Sequence, residues 1–390
     1  MEDIIRPRQE LSHGKILVFC TALCILAFLL GLTTLEAYIR LTRPRIDLYV
    51  LTGRIPGPNP ISKWASADAF SAYRAKPGQY AEGKTVNKYG FISTPKISVV
   101  KPKDTIRIVF LGGSSTAGTG SNLKDDETWP WQTVMRLRQK TSKSIDFING
   151  ALGGYSSFES YGRLWSKIRH FSPDIVVLYH GWNEMYYFNL VNNIVSWRTL
   201  PDGSWSCERR RPIAIYNMHW SDSLLRWSQL LTRVRLRLSR AVGGEVGTSK
   251  RKTLQTDFDR RGLDIWRTNL KLIRETCRVL GIKLFVAKQA TLIVPELPAN
   301  ERKRCRYEFH GFDHVAHVAA FRGIYRVIDE EIPADSIIDV TVLSGRSDYL
   351  YDHIHPTPKG AKEIASIVSE ALADYIEKEA KANKALQRTR

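Results

Sequence analysis

The run Ile106-Arg107-Ile108-Val109-Phe110-Leu111-Gly112-Gly113-Ser114 decides how the chain is read. Its first six residues are apolar apart from Arg107, which suits a strand buried on both faces, as in a parallel sheet. Gly112 and Gly113 then break the strand into a tight turn, because a residue without Cβ admits a sharp change of direction. Ser114 follows at the carboxyl end of that strand. In open α/β sheets this is the end outside which ligands sit.

The same rhythm repeats downstream. The acidic run Asp125-Asp126-Glu127 precedes an expected helix near 128–140, where negative charge favours a helix start. Residues 145–148 predict a second short strand, closing at Asn149 and a glycine-rich turn through Gly154. A helix is expected over 159–169 and a third strand over 174–179. Ile265, Trp266, Leu270, Ile273, Cys277 and Leu280 recur at near-helical spacing and predict a helix over 263–280. Strands at 282–287 and 336–340 and a helix over 358–380 complete the pattern, with a basic tail at 381–390. Short apolar strands alternating with longer helices predict an α/β domain whose sheet is parallel and covered on both faces.

Residues 190–262 break the rhythm. Trp197, Trp205, Trp220 and Trp227 fall there among many arginines, and 223–240 predicts a helix with a strongly basic face. Two readings stand open: an insertion packed on the core, or a lid or acceptor-binding surface that touches membrane or polymer.

Upstream, residues 16–35 read ILVFCTALCILAFLLGLTTL, without a charge. That length crosses a hydrocarbon core of about 30 Å. The run is longer than the apolar region of a signal peptide, and Glu36-Ala37-Tyr38 follows it where a small-residue cleavage site belongs. A retained single transmembrane anchor is the expectation. Residues 1–15 then form an N-terminal segment and 36–104 a membrane-proximal stem and lead-in, with a loop at 54–60 where prolines repeat. Residues 105–380 form the main domain.

A 43% hydrophobic composition over 390 residues supports a full core and excludes global disorder. The formal charge of +19 fits either attraction to anionic surfaces or an ordinary solvated basic surface. No zinc-finger spacing, RNP-like strand or helix-turn-helix signal accompanies it, so no specific nucleic-acid partner is expected. Of the five cysteines, Cys20 and Cys24 are expected to be buried in the apolar segment. Cys207, Cys277 and Cys305 show no C-x-x-C spacing and allow at most one disulfide among themselves.

Ser114 needs a base to act as a nucleophile. The candidate is His355, in Tyr351-Asp352-His353-Ile354-His355-Pro356, with Asp352 placed to orient the imidazole and stabilise its charged form. No lysine completes a phosphate loop after Gly112-Gly113, and the turn is not the G-x-S-x-G elbow. A surface loop, or a metal site made of Asp352, His353 and His355, is the competing reading of the histidine segment. Donors for a developing oxyanion are expected from the backbone N–H of Ser114, the backbone N–H of Gly154 and the side chain of Asn183 in His180-Gly181-Trp182-Asn183-Glu184.

In order, Gly112-Gly113-Ser114-Ser115-Thr116, Gly154, Gly181-Trp182-Asn183-Glu184 and Asp352 to Pro356 resemble the four blocks of the SGNH/GDSL hydrolase superfamily, over roughly 105–375. Gly113 stands where that family often has Asp, a variant similar to membrane-anchored and polysaccharide-associated members. Asn87-Lys88-Tyr89-Gly90-Phe91 also looks like a segment that precedes the sheet in such proteins. The resemblance implies a three-layer α/β/α sandwich around a mostly parallel sheet of about five strands. It also implies a serine esterase chemistry with a catalytic Ser114, Asp352 and His355, and no cofactor or metal. It leaves open hydrolysis of small acyl esters such as glycan O-acetyl groups, O-acyl transfer to a polysaccharide, and a non-catalytic glycan-binding or scaffold role. It further implies a periplasmic or extracytoplasmic domain. Arg6, Arg8 and Lys15 before the anchor against Arg40, Arg43, Arg45 and Arg54 after it lean the other way. Protein partners and oligomeric state are not legible.

Overall fold

The computed structural model describes residues 12–43, 65–79, 83–189, 195–209, 227–241 and 253–388. The expected loop at 54–60, Arg6, Arg8, Arg45, Arg54 and Trp220 lie outside the described residues. The longer helices, in chain order, are α1 (His13–Thr42), α2 (Trp129–Lys140), α3 (Ser157–Ser166), α4 (Gln229–Ala241), α5 (Arg261–Val279), α6 (His314–Glu331) and α7 (Pro358–Arg388). The chain divides into two units, Met1–Asn59 with Tyr216–Glu245, and Pro60–Ile215 with Val246–Arg390.

The larger unit is built on five strands, β1 (Thr105–Gly112), β2 (Ser144–Asn149), β3 (Ile175–His180), β4 (Lys283–Lys288) and β5 (Ile337–Asp339). They lie in the order β5-β4-β3-β1-β2, and every pairing is parallel. Helix α2 packs with α7, while α3 and α6 pack with α5, which gives the three-layer α/β/α arrangement. The central strands are apolar throughout because helices cover both faces: Ile108 to Leu111 and Val176 to Leu178 have no exposed surface. Arg107 is the exception and is equally buried. Its guanidinium donates to Asp146 at 2.9 and 2.7 Å and to the Phe171 carbonyl at 2.6 Å, so the charge in the sheet is paired and hydrogen-bonded.

Several elements depart from expectation. Helix α3 begins at Ser157, where Glu159 reaches back to the Ser156 N–H at 2.8 Å. It ends at Ser166 and gives way to a 3₁₀ turn, Ile168–Phe171, rather than running on to 169. Helix α7 continues to Arg388, past the expected end at 380. Helix α6 was not anticipated, because Gly323 in its interior and interleaved histidines blur the apolar period. Gly323 lets the helix pack closely: a Cβ would stand 2.9 Å from the end of the Leu263 side chain on α5. A hairpin of Val195–Thr199 and Trp205–Arg209 occupies part of the irregular region.

In the smaller unit α1 is long and apolar enough to cross a membrane, and the large side chains of its uncharged run 16–35 are exposed. Cys20 and Cys24 are exposed on it rather than buried within the unit, so any burial comes from lipid. Helix α4 packs against α1. In the larger unit Cys277 and Cys305 are free and buried, and burial pushes their thiols up to about 12 and about 11.

Candidate active site

Parallel register brings the strand ends to one edge of the sheet, with Gly112 opposite Tyr179 and Phe110 opposite Asn149. Ser114 opens a one-turn helix, Ser114–Ala117, directly after β1. Its Oγ lies 2.7 Å from His355 Nε2, and His355 Nδ1 lies 2.9 and 2.8 Å from the two oxygens of Asp352. The segment before α7 builds this contact locally. Asp352 Oδ1 also accepts the backbone N–H groups of Ile354 at 3.0 Å and His355 at 2.9 Å, so one carboxylate folds the turn and aims the ring. Burial opposes the charge on Asp352. The bond and charge of His355, the neighbouring His353 and the Ile354 N–H outweigh it and hold the carboxyl well below the usual carboxylate range.

Gly154 takes a left-handed φ of 82° between β2 and α3, with the Tyr73 hydroxyl behind it; a Cβ would stand 2.7 Å from that oxygen. Asn183, in the turn after β3, donates from Nδ2 to the Tyr155 carbonyl at 2.7 Å. The same Nδ2 lies 2.6 Å from where a Cβ on Gly113 would stand, which sets the amide against the turn carrying Ser114. Ser114, Gly154 and Asn183 thus come from the ends of three adjacent strands, and Asp352 and His355 from the segment before α7.

His353, by contrast, turns into the protein. Its ring lies 4.0 Å from that of Trp182, and burial drives its pKa down to about 3 despite the adjacent Asp352. Trp182 also stacks on His317 at 5.2 Å, and burial lowers that imidazole to about 4. Among the described residues no group of three or more His, Cys, Asp or Glu side chains is placed to hold a metal ion.

Three residues to which the sequence assigned no part in the site tie the strand ends together. Gln289, just past β4, accepts the Trp182 N–H at 2.7 Å and donates to Ser115 Oγ at 3.4 Å. Ser115 in turn donates to the Ile354 carbonyl at 3.1 Å. Asn149 donates to the Thr116 carbonyl at 3.1 Å and so pins the one-turn helix to the end of β2. The hint in sequence was position, a polar residue at or within three residues of a strand's end.

A second Ser–His–carboxylate cluster lies nearby. Ser157 bonds Glu184 through both its N–H, at 2.8 Å, and its hydroxyl, at 2.7 Å, while His180 Nδ1 is 3.6 Å from Glu184 and its Nε2 faces Ser160 at 2.8 Å. Here the serine meets the acid directly and no imidazole stands between them. It also accepts from Asn269 at 3.0 Å, and Ser157 and Glu184 have no exposed surface. A nucleophile needs its base on the hydroxyl and an open approach, so this cluster anchors the Asn183 turn to the first turn of α3. The Ser114 set has the serine–imidazole–carboxylate order of a serine hydrolase, and Ser114 is partly open.

No protein-family model matches the chain, and no curated protein sequence matches it. Solved structures do. An acetyl xylan esterase, AlAXEase, is 14% identical with a TM-score of 0.38, covering 68% of this chain and 99% of that one. The lipase Lip_vut3 from a goat rumen metagenome is 13% identical with a TM-score of 0.40, covering 68% and 97%. A lipase/acylhydrolase from Enterococcus faecalis is 12% identical with a TM-score of 0.39, covering 69% and 96%. Identities this low, with scores below 0.5, support no inference about activity or family membership.

Proposed function

We propose that the chain hydrolyses small acyl esters through an acyl-enzyme, with O-acetyl groups on a glycan as its substrate class. The observation that carries the reading is the unbroken line Asp352–His355–Ser114, with contacts of 2.8 and 2.7 Å. In the first half-reaction Ser114 Oγ attacks the ester carbonyl carbon while His355 Nε2 takes its proton. The carbonyl oxygen becomes the oxyanion. The Ser114 and Gly154 N–H groups and the second Nδ2 hydrogen of Asn183, beyond the one given to Tyr155, are its donors. Collapse breaks the ester C–O bond, and His355 returns the proton to the departing alkoxide. Water repeats the sequence on the acyl-enzyme and releases the free acid. Asp352 keeps the imidazole in one tautomer and offsets its positive charge. These steps draw on no cofactor or metal.

Exposed aromatic rings support a glycan. Tyr351 precedes Asp352, its N–H donates to the His355 carbonyl at 2.7 Å, and its side chain is 60% exposed. Phe309 is 40% exposed and stacks on Trp182. Such flat faces suit the C–H face of a sugar ring. A glycan substrate calls for an extracytoplasmic catalytic unit, and a cytoplasmic position in a protease-protection assay would remove it. The anchor, which tethers the unit to a membrane, favours a second reading in which a sugar hydroxyl replaces water and the acyl group is transferred.

A serine-directed fluorophosphonate probe tests the shared chemistry. Labelling of the folded chain is expected, and Ser114→Ala should abolish it. His355→Ala should lower turnover of p-nitrophenyl acetate by about 10⁶-fold, the scale seen when a triad loses its imidazole. Absence of labelling, or near-normal turnover in the His355 variant, refutes the assignment. Product analysis with and without an acceptor glycan separates hydrolysis from transfer.

A further inference from the structure

Glu36 is the first charged residue after the uncharged run 16–35. Although it belongs to α1, its carboxylate caps the start of α4. It accepts the N–H groups of Gln229 and Leu230, each at 2.8 Å, and the Ser228 hydroxyl at 2.9 Å. The first amides of a helix have no partner within it and carry its positive dipole end, so a carboxylate there both bonds and neutralises. Arg40, one turn further along α1, bonds Glu36 at 2.6 Å and also donates to the Trp227 carbonyl. The origin of α4 is thereby fixed at the level where the apolar run of α1 gives way to charge. If α1 spans a bilayer, that level is the boundary between hydrocarbon and headgroups.

From this point α4 runs QLLTRVRLRLSRA, with four arginines and no acidic residue. Leu231, Val234 and Leu238 follow the i, i+3, i+7 spacing of one helical stripe, and Arg233, Arg237 and Arg240 follow i, i+4, i+7 on the next. Leu231 is 48% and Val234 43% exposed, Arg237 is exposed, and Trp227 at the helix start is 69% exposed. An apolar stripe flanked by arginines, with a tryptophan at one end, has the composition of a helix lying in the membrane interface. The segment's net positive charge selects for anionic headgroups.

We infer that α4 lies on the surface of a bilayer containing anionic lipid, its Leu231–Val234 stripe in the acyl boundary, beside the point where α1 emerges. The inference rests on α1 spanning that bilayer and is independent of the acyl-ester reading, since its test does not involve Ser114.

The test uses the full chain reconstituted in vesicles, with an environment-sensitive fluorescent amino acid encoded in place of Val234 or, separately, of Arg237. Vesicles are phosphatidylcholine alone or phosphatidylcholine with phosphatidylglycerol. The expected result is blue-shifted emission at 234 and several-fold stronger quenching by nitroxide lipids than by aqueous iodide, greatest with phosphatidylglycerol. The reporter at 237 should favour iodide. Arg237→Glu should release the 234 reporter into water, and Leu231→Ser should do the same without altering charge. Aqueous emission at 234 in both vesicle types overturns the inference. So does shielding that nitroxide lipids do not quench, or that grows with protein density, because either places a protein rather than lipid on the stripe. Equal shielding in the two lipids overturns the anionic preference.

Discussion

Gly120 takes a left-handed φ of 88°, and a Cβ there would stand 2.7 Å from Cδ2 and Nε2 of His355. Its missing side chain is the space in which the imidazole sits. Gly120→Ala should therefore displace the ring and lower esterase turnover by about 100-fold, the scale of an ångström-sized misplacement. Gly203→Ala is the matched control, because Gly203 has a φ of 79° with nothing within 4 Å of a Cβ. Steady-state kinetics on both should show loss only at 120; equal loss would mean that backbone strain, not the imidazole, is responsible. Gly113 follows the same logic. Where the resembling family often has Asp, the side-chain space here is taken by the Asn183 amide. The Asp352–His355 contact was legible in sequence because a carboxylate three residues before a histidine can bond both ring and backbone. Gln289 and Ser115 were not, because each acts through partners that only the fold brings close: Gln289 lies 174 residues from Ser115.

At the scale of elements, the strands were the most legible part. A strand covered on both faces must be apolar at successive positions, and β1, β3 and β4 announce themselves that way. Helix α6 did not, since the residues that pack it include Gly323 and the buried His317. The acidic residue of Gly181-Trp182-Asn183-Glu184 gains a physical role from the structure: its carboxylate caps α3 and holds the Asn183 turn. Glu184→Gln keeps the shape but weakens charge-assisted bonds, and should cost about 1.5–3 kcal/mol in denaturant unfolding. Ser157→Ala should leave fluorophosphonate labelling at the parental level. Loss of labelling in folded Ser157→Ala would make that buried cluster the reactive one.

For the molecule as a whole, the buried imidazoles set a pH dependence. His317 and His353 have pKa values lowered from 6.5 to about 4 and about 3, with burial the main cause. The unfolded chain therefore binds more protons than the folded one between those values and 6.5. Their neutral burial is fully compatible with folding above about pH 6.5, and stability is lost as the pH falls below it. Each imidazole contributes a slope on the order of 1 kcal/mol per pH unit. Asp352, lowered from 3.8, adds a loss only below that value. Urea midpoints of the full chain in detergent should fall between pH 7 and pH 5, and less steeply in His317→Phe. Identical midpoints at the two pH values would show that these rings are not neutral in the folded protein. Cys277 and Cys305 lead to a different property. With both sulfurs reduced, separate and sealed from solvent, the larger unit gains no cross-link from them. Its folding is then indifferent to the redox poise of its surroundings with respect to these two thiols. Neither Cys277 nor Cys305 then asks for a disulfide-forming enzyme, whichever side of the membrane the unit occupies.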